Sequence, residues 1–97
     1  MTRPNPVKRV QWTDTFKADY KALPSEVKEA AKEALKDLVK EPIPKKRKFE
    51  KLEGHWNPSV FTIHATRNHS HKISFEIIEG VAVLRRVRTH KKIDRNP

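Results

Sequence analysis

Cysteine is absent from the 97-residue chain, and glycine occurs only twice, at Gly54 and Gly80. Without cysteine there is no disulfide framework, no thiol nucleophile and no Cys-ligated zinc site. Two isolated glycines cannot build a glycine-rich phosphate loop. No apolar run approaches the roughly 20 residues of a membrane span, which argues against an integral membrane protein. The opening Met1-Thr2-Arg3-Pro4-Asn5-Pro6 has no apolar stretch behind its charge and does not read as a secretory signal. Ser59, Ser70 and Ser74 lack a nucleophile-elbow context, and no acidic cluster of the two-metal nuclease kind is present. Acidic side chains are in deficit: 12 Asp and Glu stand against 22 Lys and Arg, a net charge of +10. What remains is a single soluble domain over residues 1–97, expected in the cytoplasm, with flexible ends at 1–6 and 93–97. Its natural partner is a polyanion.

The positive charge is clustered. Lys45-Lys46-Arg47-Lys48 is an unbroken basic run, and Arg85, Arg86, Arg88, Lys91, Lys92 and Arg95 crowd the last part of the chain around Asp94 alone. Between them, residues 49–84 hold three basic side chains and four acidic ones. A merely soluble protein intersperses its charges, whereas two concentrated patches point to a surface that binds phosphates.

Hydrophobic periodicity orders the chain. Val7 to Trp12 reads as a short strand. Thr13 or Asp14 then caps a helix whose Phe16, Tyr20 and Leu23 recur at i, i+4 and i+7. Pro24 breaks that helix and opens a second over residues 24–40, with Val27, Ala30, Ala31, Ala34, Leu35, Leu38 and Val39 at helical spacing. Pro42 and Pro44 end it and lead into the basic run, and Gly54 to Pro58 reads as a turn. Three alternating strands follow, at Ser59 to Thr66, Lys72 to Ile78 and Val81 to His90, the last two joined by Glu79-Gly80 as a tight hairpin. The fold class is α+β: two N-terminal helices packed on one face of a small, mainly antiparallel twisted sheet, in the order βααβββ.

Strict alternation assigns the strand residues to faces. Val81, Val83 and Val87 fall on one side of the last strand, and Ala82, Leu84, Arg86, Arg88 and His90 on the other. The solvent face of the sheet then gathers His64, Thr66, Lys72, Ser74, Arg86, Arg88 and His90, with Arg67, His69 and His71 at its rim. All five histidines lie in the second half of the chain, at 55, 64, 69, 71 and 90. Histidine gives or takes a proton near neutrality, and His90 stands among Arg86, Arg88, Lys91 and Lys92. His64, His69 and His71 offer a metal-ligand alternative, but no matching carboxylate or cysteine set accompanies them, so no metal or other cofactor is expected. Metal-free RNA cleavage uses the 2′-hydroxyl as nucleophile and asks for a base, an acid and cations on the phosphate, all of which His, Lys and Arg supply. Trp12 and Tyr20 read as core; Trp56 is the better candidate for stacking on a base.

Several segments carry a family likeness: Phe16-Lys17-Ala18-Asp19-Tyr20-Lys21-Ala22-Leu23-Pro24 ahead of the long helix, Lys51-Leu52-Glu53-Gly54, His71-Lys72-Ile73-Ser74-Phe75-Glu76-Ile77, and Val83-Leu84-Arg85-Arg86-Val87-Arg88-Thr89-His90. Over about residues 7–92 the chain resembles the RelE/ParE superfamily of type II toxin–antitoxin toxins, in the order of elements more than in a signature. The resemblance implies a ribosome-dependent mRNA endonuclease, held inactive in a hetero-oligomer by a cognate antitoxin, with ribosome and mRNA as its other partners. Carried onto this chain, it implies His90 as general acid or base, with Lys72, Arg67 and Arg86 neutralising phosphate. Lys45, Lys46, Arg47, Lys48, Lys51, Arg88, Lys91 and Lys92 would bind RNA. The chain departs from these toxins in having Lys72 where they typically carry Arg, and no C-terminal Tyr. Two other readings belong to different classes: a ParE-like inhibitor of DNA gyrase, and a basic nucleic-acid-binding module without catalysis.

Overall fold

The computed structural model describes residues 7–56, 59–68 and 70–95, the side chains of residues 53–56 and 94 excepted. Its elements are β1 (Arg9–Gln11), α1 (Asp14–Lys21), α2 (Ser25–Leu38), a 3-10 turn at Lys45–Arg47, β2 (Glu50–Trp56), β3 (Ser59–His64), β4 (His71–Ile78), β5 (Val81–Thr89) and α3 (His90–Arg95). They form one five-stranded sheet in the order β1-β5-β4-β3-β2, with β1 parallel to β5 and the other pairs antiparallel.

Thr13 starts α1. Its hydroxyl accepts from the Phe16 N–H at 3.1 Å, satisfying one of the helix's free donors, and donates to the Leu84 carbonyl at 2.7 Å. The cap therefore also fixes the helix to β5. Phe16 is fully buried, and the Trp12 ring meets the Phe16 and Tyr20 rings edge-on at 4.9 and 5.1 Å, so the aromatic stripe is core as its spacing predicts. In α2, Ala31, Ala34, Leu35 and Leu38 are buried, while Glu29–Lys32 and Glu33–Lys36 pair on the exposed side at 3.8 and 3.3 Å. Such exposed pairs contribute little; the buried face holds the helix.

The β4–β5 hairpin turns on Glu79 and Gly80, both at positive φ, as a two-residue turn matched to sheet twist requires. Further along, Ser74 pairs with Arg86 but Phe75 pairs with Leu84, which leaves Arg85 as an extra residue in β5. This bulge corrects the face assignment read from strict alternation. Ala82, Leu84 and Val87 all lie in the core cluster, while Val81 and Val83 are half-buried. β1 pairs only with Val81–Val83. Beyond it the edge of β5 is satisfied by α1: Thr13 takes the Leu84 carbonyl, and Asp19 Oδ2 accepts from the Val87 N–H at 3.3 Å.

Two further elements differ from the sequence reading. Residues 54–56, read as the start of a turn, belong to β2, which pairs with β3 through Glu50–Thr62, Lys51–Phe61 and Trp56–Ser59. Residues 93–95, read as part of a free end, continue α3. That helix packs on β4 and β5, and its Ile93 is fully buried yet lies outside the main core cluster. The second face of the sheet is consequently not a solvated surface. Thr62, His64, Lys72 and Ser74, which share that face, are all buried.

Candidate nucleic-acid site

Register brings the expected basic residues into rows. His64 pairs with Lys72, and Lys72 with Arg88; one step along, Thr62 pairs with Ser74 and Ser74 with Arg86. Directly opposed side chains on one face lie within about 5.5 Å at Cβ, so His64, Lys72 and Arg88 form a continuous cross-strand line. His90 joins its end. The His90 ring meets the His64 ring edge-on at 5.6 Å, and the His90 backbone N–H donates to the Ser70 carbonyl at 2.9 Å.

The loop before β4 supports that arrangement. Thr66 Oγ1 accepts from the Ser70 and His71 N–H groups at 2.9 and 3.3 Å, and Ser70 Oγ lies 2.8 Å from His71 Nδ1. This short network holds the carbonyl to which His90 is tied. Burial lowers the His71 pKa below its ordinary value, favouring the neutral ring. His69 lies outside the described residues, as do the side chains of His55 and Trp56.

The remaining candidates separate into three groups. Lys45, Lys46, Lys48, Lys51, Lys91 and Lys92 are exposed, as an RNA-binding role demands. Lys48 sits in the left-handed region and closes the 3-10 turn by donating its N–H to the Lys45 carbonyl at 3.0 Å. Lys72 and Arg86 are engaged by carboxylates. Lys72 Nζ stands 3.8 Å from Glu50, and the Arg86 guanidinium grips Asp19 of α1 through Nε at 2.7 Å and Nη2 at 3.0 Å. Arg86 therefore anchors α1, whereas Arg88 is half-buried and makes no ion pair with a described residue.

Arg47 is the third case, and here the sequence reading is corrected. Unlike its lysine neighbours it is buried and not an exposed member of the basic run: Nε donates to Asp37 at 2.8 Å, and Nη1 reaches the Ala65 and His64 carbonyls at 3.3 and 3.5 Å. Burial alone would raise the Asp37 pKa, but hydrogen bonds from Lys40 and Arg47, and their charges, hold it below its ordinary value. Arg67 is exposed and lines a hollow on the α2 side with Lys40, Lys46 and Arg47. The sequence reading missed the Asp37–Arg47 and Asp19–Arg86 pairs. The one available signal was a carboxylate at position 37, three residues after the core residue Ala34.

Among the described residues, no group of three or more His, Cys, Asp and Glu converges as a metal site, and no helix is long and apolar enough to cross a membrane. A line of imidazoles and cations of this kind can exchange a proton and neutralise a phosphate within one site. No family model, no curated protein and no solved structure matches the chain.

Proposed function

We propose that the chain is the toxin of a type II toxin–antitoxin system, a ribosome-dependent mRNA endoribonuclease of the RelE-like kind. The observation that carries this reading is the cross-strand line His64–Lys72–Arg88 with the His90 ring at its end. In the proposed reaction His90 exchanges protons with the reacting oxygens. A base removes the proton of the RNA 2′-hydroxyl, whose oxygen attacks the adjacent phosphorus. The 5′-oxygen leaves with a proton from an acid, giving a 2′,3′-cyclic phosphate and a free 5′-hydroxyl. Arg88 and Lys72 offset the charge that builds on the equatorial oxygens. Exposed Lys48, Lys51, Lys91 and Lys92 hold the RNA backbone, and a cognate antitoxin restrains the whole.

A second reading, a ParE-like gyrase inhibitor or a non-catalytic basic module, is favoured by one observation: Lys72 is only 3% exposed, which puts its amine out of easy reach of a phosphate. Cleavage of mRNA on purified translating ribosomes separates the two. The nuclease reading expects new 5′-hydroxyl ends with wild-type protein and none with His90→Ala, while both variants bind RNA alike. Cleavage that survives His90→Ala removes His90 from the mechanism. Absence of cleavage with either protein favours the binding readings.

A further inference from the structure

The hollow between the end of α2, the 3-10 turn and the β3–β4 loop has a volume of about 610 Å³, within the range of small-molecule sites. Nothing in the His90 line uses it. Its electrostatics are unusual. Asp37 meets three cations, with Lys40 Nζ at 2.8 Å, Arg47 Nε at 2.8 Å and Lys46 Nζ at 3.9 Å. Three cationic side chains and one carboxylate of this cluster all line the hollow. Glu33 also lines it, but lies 3.3 Å from Lys36 Nζ, and Arg67 adds a further exposed cation.

Arg47 is held in place for such a role. It is 8% exposed, and Nε and Nη1 are spent on Asp37 and on the His64 and Ala65 carbonyls. Nη2 makes no hydrogen bond to a described residue and is not sealed from solvent. The buried pair thus fixes half of the guanidinium fork of a residue that lines the hollow. Lys40 and Lys46 are drawn beside it by the same carboxylate, although they repel one another. A phosphate placed among them relieves that repulsion and accepts charge-assisted hydrogen bonds from groups already ordered.

We propose that this hollow is a phosphate-binding site, separate from the His90 line, in which Arg47, Lys46, Lys40 and Arg67 receive one phosphate group. The shared chemistry is the phosphate; its source is either a free nucleotide or the backbone of a polynucleotide. The site goes beyond the nuclease reading and does not require cleavage.

The test is an NMR titration of the full chain at low salt with inorganic phosphate, adenosine monophosphate and a short single-stranded RNA, each added separately. Saturable shifts centred on the amides of Lys40, Lys46, Arg47, Thr66 and Arg67 are expected. In a Lys46→Gln/Arg67→Gln variant, affinity falls by about tenfold or more as two charge-assisted contacts are lost. Both residues are exposed and the Asp37–Arg47 pair is untouched, so the fold is retained; Arg67→Gln alone serves as the milder variant. Saturation by inorganic phosphate or the mononucleotide identifies a free ligand, and saturation by RNA alone identifies a backbone phosphate. Shifts spread without saturation over Lys48, Lys91 and Lys92, affinity unchanged in the variant, or no response at these amides to any of the three probes would each overturn the proposal. The titration reads binding alone, so its failure is distinct from a failure of cleavage by His90.

Discussion

Replacing Asp37 with Asn removes a charge while keeping the shape, and leaves Arg47 as a buried cation with neutral oxygen acceptors and no carboxylate among the described residues. Removing one partner of a buried ion pair costs about 3–5 kcal/mol. In a domain of this length each kcal/mol moves the thermal midpoint by about 4–8 °C, so Asp37→Asn is expected to melt at least about 12 °C lower. Arg47→Met is milder, at about 1–3 kcal/mol, because Asp37 retains Lys40 at 2.8 Å. Urea denaturation with an unchanged m-value measures both. The sign of the pH dependence follows from the lowered Asp37 pKa. The unfolded carboxyl takes up its proton first, so the stabilisation is fully present above the ordinary value of 3.8 and is lost as pH falls through the lower folded value. The gap between wild type and Asp37→Asn therefore closes in acid. A loss below about 1 kcal/mol for Asp37→Asn, or a gap that persists at acid pH, would refute the buried-pair account.

Other expectations address separate elements. Ile93→Ala should cost about 2–5 kcal/mol by urea denaturation, since its side chain is fully buried, and should speed amide exchange in β4. Thr13→Ala loses both the α1 cap and the bond to the Leu84 carbonyl, about 1–2 kcal/mol, while Thr13→Ser keeps most of it. An NMR pH titration should place the His71 midpoint below the ordinary 6.5, the neutral ring contributing stability above that value which is lost as pH falls through the folded midpoint.

The helices were legible because each announces itself locally: a capping hydroxyl at Thr13, apolar spacing through Leu38, and proline at 24 and 42. The pairing of β4 with β5 was legible from alternation and the Glu79-Gly80 turn. Three features were not. The bulge at Arg85 changes the face of every later residue and leaves no mark in a period-2 pattern. β2 is a charged edge strand whose register shifts between Lys51 and Trp56, so it shows little alternation. α3 is six residues long with a single buried apolar side chain, too short for periodicity to register. The same limits shaped the site. Spacing placed His64, Lys72 and Arg88 together on one face, but it gave no sign that His64 and Lys72 are buried there. Arg47 looks like its three basic neighbours in sequence, and only the tertiary approach of Asp37 distinguishes it.

The most direct test of the proposed function is to induce the chain in growing cells and map the 5′ ends of cellular mRNA within minutes, alongside a His90→Ala variant that melts like the wild type. The account predicts fresh cuts at defined positions within translated codons for the wild type and none for the variant. Growth arrest without new ends, or the same cuts from both proteins, would contradict it.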